Sequence, residues 1–423
     1  MLLWFGTWKN GSNHNRPGWM KQDAGKYPNI TGKNGQPVDS PSPHIKATLG
    51  ADIKACKAVM KYLKNTDTRH TVVRVQVENE SGSWESVRDY SAAAKKLFAG
   101  PVPAELLKPG VVKALHTPVV FEGSLQKVFG NNAEEYFHVW SVAWFVGQVA
   151  AAGKAEYPLP MYANAALPDP LTNLSANTYE SGGLTDNVIP ICKAAAPAID
   201  LLAMDIYLSG SEKILKVIDF YDRPDNTLFV PEAGLNPDKA KDLYPVIAHG
   251  GIDFLPFGID VNARGATAAE NTERFTPLAW EYAMAAPMMN ELANWAFEGK
   301  IKAVVEHEDH AEKTVGLGKW QAIVSFGAGS RDAGQVNTHP NGKMMIVQLD
   351  ENKFTPVGTH RPITFHPTGK DSGRAWQYLN VEKGHYKNGV FKSPGILNGD
   401  ETDFGGPRLG ATKTVLQTTQ ILQ

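Results

Sequence analysis

Short apolar runs alternate with helix-period stretches through most of the first 300 residues. That alternation narrows the choice of fold more than any other feature. Leu159–Ala165, Ile199–Tyr207, Thr227–Glu232 and Ile252–Ile259 read as strands. Thr185–Ala195, Glu212–Phe220 and Lys239–Ala248 between them read as helices, and Pro277–Phe297 closes the series as a last helix. Strands that alternate with helices form a parallel sheet, because each crossover closes in one hand and lays its helix on a sheet face. Two earlier strands, 2–8 and 71–79, bring the count to six. A closed (β/α)8 barrel has eight.

The rest of the first 300 residues fits that frame. Lys9–Ser42 is rich in Gly, Asn and Pro and is long enough to be a functional loop. Leu49, Ile53, Cys56, Met60 and Leu63 repeat at spacings of four and three, an amphipathic helix ending near Lys64. Asp89–Ala99 and Pro103–Lys108 read as short inserted helices. Asn132 with Glu135 resembles a capping box opening a long apolar helix to about Glu156. Beyond Lys300 the pattern changes to short strands at Trp320–Phe326, Met344–Leu349 and Phe354–Val357. Asn388-Gly389, between Tyr386 and Val390-Phe391, is a strong hairpin signal. The expected organisation is a (β/α) barrel over 1–300 and a smaller all-β, sandwich-like domain over 301–423.

Chemistry is expected where barrel strands end, since catalytic groups of this architecture sit at the C-terminal rim. Thr71–Trp84 runs Val72, Val73, Val75 and Val77 into Asn79-Glu80-Ser81-Gly82. With a period of two, Arg74, Gln76 and Glu78 share one face as an interior polar layer, and Val73, Val75 and Val77 face the helices. Glu80 then stands at the strand end beside an amide that can bind a hydroxyl, as a general acid for a sugar requires. Leu228-Phe-Val-Pro-Glu-Ala-Gly234 places Glu232 in the same way. One strand-end Glu is an ordinary capping or salt-bridged residue. Two of them on repeated βα units are the machinery of glycoside hydrolysis. Other strand ends add Asn79, Asn164 and Trp8, with Trp84 in the loop after Glu80, as candidate sugar contacts, and Tyr207 as a phenol that can hold Glu232. For each of these, core or rim packing is the competing reading. Asp205 and Asp260 also close strands.

Composition excludes other classes. A net charge of −2 over 423 residues provides no basic field for nucleic acid or an anionic membrane surface. No apolar run approaches the ~18 residues of a membrane span. Cys56 and Cys192 are too few for a disulfide framework and are expected as free thiols. Glu306-His-Glu-Asp-His310 lacks the two-His spacing of a zinc protease helix and is expected on a solvated segment. Gly316-Leu-Gly318 lacks the third glycine of a dinucleotide loop.

Val75-Gln-Val-Glu-Asn-Glu-Ser-Gly82 resembles the acid/base segment of glycoside hydrolase family 35 β-galactosidases and of the related family 42. The resemblance implies that Glu80 is the acid/base and that Glu232, in Phe229-Val-Pro-Glu, is the nucleophile. Trp4-Phe-Gly-Thr-Trp-Lys-Asn-Gly11 and Asn398-Gly-Asp-Glu-Thr-Asp403 look like bacterial β-galactosidase-like proteins with a C-terminal domain of the DUF5597 type. Members of that group carry two further βα units before the strand that begins here at Leu2, so the resemblance implies a TIM barrel lacking its first two units. It implies retaining hydrolysis of a terminal β-galactoside, a carbohydrate partner, no metal or cofactor, and a periplasmic or extracellular setting for the intact bacterial protein. The same mechanism on a glucan, mannan or arabinoside, or a non-catalytic carbohydrate-binding fragment, are the alternatives. In a retaining enzyme the two carboxyl groups stand about 5–5.5 Å apart.

Overall fold

The structure is a computed structural model that describes residues 1–115, 123–259, 267–326, 340–358, 361–403, 406–409 and 415–423. Asp260 lies outside them. The chain gathers into two compact units: 1–205 with 223–231, and 206–222 with 232–423. The expected boundary at residue 300 falls inside the second unit.

Six strands form one parallel α/β sheet whose order follows the chain: β1 (Leu2–Lys9), β2 (Val75–Asn79), β3 (Met161–Ala166), β4 (Leu201–Ile206), β5 (Val230–Ala233) and β6 (Phe254–Pro256). Sequential parallel winding of this kind is that of a (β/α) barrel wall. The division between the units passes through the C-terminal ends of β4 and β5.

In the first unit, helix α1 (Lys46–Thr66) buries Thr48, Asp52, Cys56, Met60 and Leu63, the stripe expected of its spacing. It packs on helix α2 (Ala133–Glu156), which is buried on most sides. The crossing is close because residue 153 is glycine. A Cβ there would stand 2.8 Å from the Cys56 sulfur. Both cysteines are buried free thiols. Two expectations for this unit need correction. The strand begins at Val75 rather than Thr71, because Asp67 takes the amides of Thr71 (2.9 Å) and Val72 (2.8 Å) and so removes them from any ladder. Val73 is consequently exposed. Asn132 does not cap α2; its amide reaches the Tyr136 hydroxyl instead, and Glu135 is held by Tyr179 and Asn187.

The second unit contains helix α4 (Ser211–Tyr221), helix α5 (Leu243–Ala248), helix α6 (Ala268–Ala285) and helix α7 (Met289–Phe297); α3 is Ile189–Ala195 in the first unit. The single expected helix 277–297 is two. Thr267 and Glu270 form a capping box that starts α6 nine residues earlier than Pro277, and Ala286–Met288 interrupts it at Pro287.

The remaining strands of this unit are antiparallel. With β7 (Ile301–Val305), β8 (Lys313–Leu317), β9 (Trp320–Val324), β10 (Lys343–Asp350), β11 (Lys353–Gly358), β12 (Ile363–Pro367), β13 (Trp376–Lys387), β14 (Val390–Ile396) and β15 (Val415–Leu422), one sheet runs β14-β13-β15-β11-β10-β7 and a second β8-β9-β12. Trp320, Phe354 and Phe365 anchor their shared core. Asn388 and Gly389 both have positive φ, 51° and 76°, as a two-residue hairpin turn demands.

The solvated segment expected at 306–310 is exposed at Glu308 and Asp309, but not at Glu306. Glu306 is fully buried and accepts from the Gly342 amide (2.7 Å), Arg361 (3.2 Å) and His310 Nδ1 (2.7 Å).

Candidate functional site

The C-terminal end of β2 opens onto a network of buried amides and carboxyls, all in the first unit. Gln76 Nε2 donates to Asn79 Oδ1 (2.8 Å), and Tyr162 Oη donates to Gln76 Oε1 (2.7 Å). Asn79 Nδ2 donates to Asn10 Oδ1 (2.8 Å) and lies 3.4 Å from Glu80 Oε2. Asn164, at the end of β3, donates through Nδ2 to Asp205 Oδ2 (2.6 Å) and to Asn79 Oδ1 (3.3 Å), while its Oδ1 accepts the Glu80 amide (3.2 Å). Asn79, Asn164 and Asp205 are nearly inaccessible, and Glu80 is half-buried. The amides thus fix the backbone of Glu80 and reach its carboxyl.

The loop after β1 forms one wall. Asn10, at φ 53°, sends its amide to Asn79 O (3.1 Å), and the Gly11 amide binds Glu80 O (2.8 Å). Trp84 Nε1 donates to Asn10 O (3.3 Å), and the residue is 49% exposed. Trp8 is placed otherwise. It is fully buried, edge-on to Phe145 of α2 at 4.7 Å, and offers no face for stacking. Its position one residue before the end of β1 turns its ring toward the helix layer.

Glu180 joins the cluster without any signal in the sequence. It comes from the loop after β3, which pairs with the loop after β2 through Ser83 and Ser181 (2.8 and 2.9 Å). Its side chain fills a slot against Gly11 and Gly82, where a Cβ would stand 2.2 Å from Oε1 and 2.6 Å from Cγ. Burial pushes its carboxyl well above the ordinary range, and the Glu80 charge pushes it further. Beneath the same loop, His138 is forced down to about 3 by burial, and its ring meets Ser83 Oγ at 3.2 Å; it is a neutral core histidine.

The second carboxylate belongs to the second unit. Glu232, near the end of β5, is 5% exposed, and Oε2 accepts the Tyr207 hydroxyl at 2.8 Å. The Gly234 amide binds Ile206 O (3.1 Å), which ties the turn after Glu232 to the residue before Tyr207. Tyr207 is 48% exposed. Among the described residues no group of three or more His, Cys, Asp or Glu is arranged to hold a metal, and no helix is long and apolar enough to cross a membrane.

Residues 278–406 match the family DUF5597, a domain of unknown function. No curated protein matches the chain by sequence. Several solved structures are similar to it at low identity. The β-galactosidase from Bacillus circulans sp. alkalophilus is 14% identical with a TM-score of 0.44, over 65% of this chain and 45% of that one. The apo exo-carrageenase GH42 from Bacteroides ovatus is 10% identical with a TM-score of 0.49, over 97% and 74%. The catalytic domain of the β-amylase from Paenibacillus polymyxa is 12% identical with a TM-score of 0.41, over 61% and 75%. The chain therefore spans less than half the length of the β-galactosidase it matches.

Proposed function

We propose that this chain is part of a retaining β-glycosidase acting on terminal β-galactosides, with Glu232 as nucleophile and Glu80 as acid and then base. The observation that supports this reading most is the Tyr207 hydroxyl donating to Glu232 at 2.8 Å. A phenol in that position favours the ionised carboxylate and fixes its angle, both of which a nucleophile needs. At the other carboxyl, Asn164 accepts the Glu80 amide and Asn79 Nδ2 lies 3.4 Å from its Oε2, which places Glu80 for a sugar, with Trp84 as a stacking face.

In the first step the Glu80 proton goes to the leaving oxygen as a Glu232 oxygen bonds to the anomeric carbon. In the second, water attacks that carbon, Glu80 takes its proton and the bond to Glu232 breaks. The two displacements restore the starting anomeric configuration. No metal or cofactor enters this scheme.

The test is hydrolysis of aryl and alkyl β-galactosides, with the first-formed anomer read by proton NMR. Glu232→Gln should abolish turnover. Glu80→Gln should spare aryl substrates with good leaving groups and stop alkyl ones. Inversion of the anomer, or equal loss on both substrate types in the Glu80 variant, overturns the assignment. Faster turnover of a nitrophenyl glucoside, mannoside or arabinoside would move the substrate but keep the mechanism.

A further inference from the structure

The strand that delivers Asn79 and Glu80 is not regular at the point of delivery. Glu78 has φ 61° and Glu80 φ 44°, left-handed values that side chains with a Cβ seldom adopt. The pairing with β1 is dislocated there. Trp4 is opposite Val77 and Lys9 is opposite Asn79, so five steps on β1 answer two on β2. One consequence is that Gln76 and Asn79 meet at 2.8 Å on one side of the sheet, although side chains three residues apart in a strand point to opposite faces. The other is that Glu78 leaves the face of Gln76, where alternation would put it, and turns toward α1.

Such a turn persists only when its surroundings hold it, and here the holding group is the Glu78 side chain itself. Its carboxyl is fully buried, and Oε2 accepts the Trp8 amide at 3.0 Å. Gly6 of β1 lies directly against it; a Cβ there would stand 2.3 Å from Oε1. From α1, Asp52 brings a second carboxyl to act on Glu78, and its Oδ2 accepts the hydroxyl (2.7 Å) and amide (3.3 Å) of Thr7, next to Trp8. Burial and then the Asp52 charge push the Glu78 carboxyl well above the ordinary range, which favours its protonated form. The other titratable groups acting on the pair are Arg16, which faces Asp52 and Asp39, and Cys56 on α1, whose buried thiol is raised to about 12.

We propose that Glu78, held by the Trp8 amide against Gly6, is the positioning residue for Asn79 and Glu80: its side chain clamps the left-handed turn that presents both. This rests on the reading of Glu80 as acid/base only for its catalytic consequence; the clamp itself is a statement about geometry. When the Glu78 proton is lost as pH rises, two anions face each other in a buried site and the clamp opens. Gln at position 78 would keep it closed. Its amide nitrogen donates to Asp52, its oxygen accepts the Trp8 amide, and it has no proton to lose.

The test uses the full chain with ¹⁵N-labelled asparagine, the Asn79 side-chain signal being assigned by its absence in Asn79→Asp. In the wild type the Asn79 and Asn164 amide signals should shift together as pH rises through the Glu78 titration. In Glu78→Gln they should stay at the wild-type low-pH positions throughout, and in Glu78→Ala they should be displaced at every pH. In hydrolysis of an aryl β-galactoside, Glu78→Ala should lower kcat about a hundredfold with little change in KM, as misplacement of a reacting group does. Glu78→Gln should restore the rate and lose the alkaline decline. Should Glu78→Ala not fold, the comparison of wild type with Glu78→Gln decides alone. An Asn79 signal that titrates in Glu78→Gln as in the wild type, or is unmoved in Glu78→Ala, overturns the clamp. Signals that behave as expected while Glu80→Gln and Glu232→Gln keep full turnover would leave the clamp standing and remove the catalytic reading.

Discussion

Asp52 makes the stability of the first unit depend on pH in a direction unusual for a carboxylate. Burial raises its carboxyl from 3.8 to about 6, against the opposing pull of the Thr7 hydrogen bonds, the bond from Glu78 and the Arg16 charge. A carboxyl whose folded value lies above its unfolded one binds its proton more tightly when folded. Its contribution is therefore fully present below the unfolded value near pH 4 and is lost as pH rises through about 6. A rise of roughly two units corresponds to about 3 kcal/mol in full, of which about 2 kcal/mol falls between pH 4.5 and 7.5. Asp52→Asn removes the titration yet keeps the contacts, because the amide oxygen can accept from Thr7 and the amide nitrogen can donate to Glu78. The variant should gain stability over the wild type by about 2 kcal/mol more at pH 7.5 than at pH 4.5. For a unit of this size that is on the order of 4–8 °C in Tm. Calorimetric melts of both proteins at the two pH values give the double difference, in which titrating groups that do not act on Asp52 cancel. A wild-type-to-variant difference that stays constant across the range would show that Asp52 ionises in the fold as it does in the unfolded chain.

Three further outcomes follow from single contacts. Tyr207→Phe removes the 2.8 Å bond to Glu232 and should lower kcat roughly 10- to 100-fold with KM little changed, the range of one hydrogen bond to a charged group; a raised KM at constant kcat would place Tyr207 on the binding rim. Gly82→Ala would set a Cβ 2.6 Å from the buried Glu180 Cγ and 2.8 Å from the Ser181 carbonyl, neither of which can swing into solvent. It should cost about 1–3 kcal/mol in denaturant unfolding, and an unchanged midpoint would reveal slack in the slot. Lys343→Met strips the cation from a buried ion pair with Glu281 (2.8 Å), which also accepts the Tyr244 hydroxyl (2.6 Å). A loss of roughly 3–5 kcal/mol is expected, partly recovered by adding Glu281→Gln; no recovery would mean that the stranded carboxylate is not the cause.

Local pattern determined most of the secondary structure. The six strands, the α1 stripe and the Asn388-Gly389 turn were all legible because each depends on periodicity or on a backbone angle that a few neighbouring residues dictate. The candidate residues at strand ends were legible for the same reason: Asn79, Glu80, Asn164, Tyr207 and Glu232 stand where an apolar run stops. What the sequence could not show is which way a side chain turns once alternation breaks. Glu78 was assigned to the interior by period two, and it lies on the helix side because contacts with Asp52, Gly6 and Trp8, far apart in the chain, hold it left-handed. Trp8 looked like a platform at a strand end and is a core residue, since its ring meets Phe145, 137 residues further along the chain. Glu180 had no pattern at all. Its role exists only because two glycines on other loops leave a slot its own length, and a slot between distant loops is a property of tertiary packing alone.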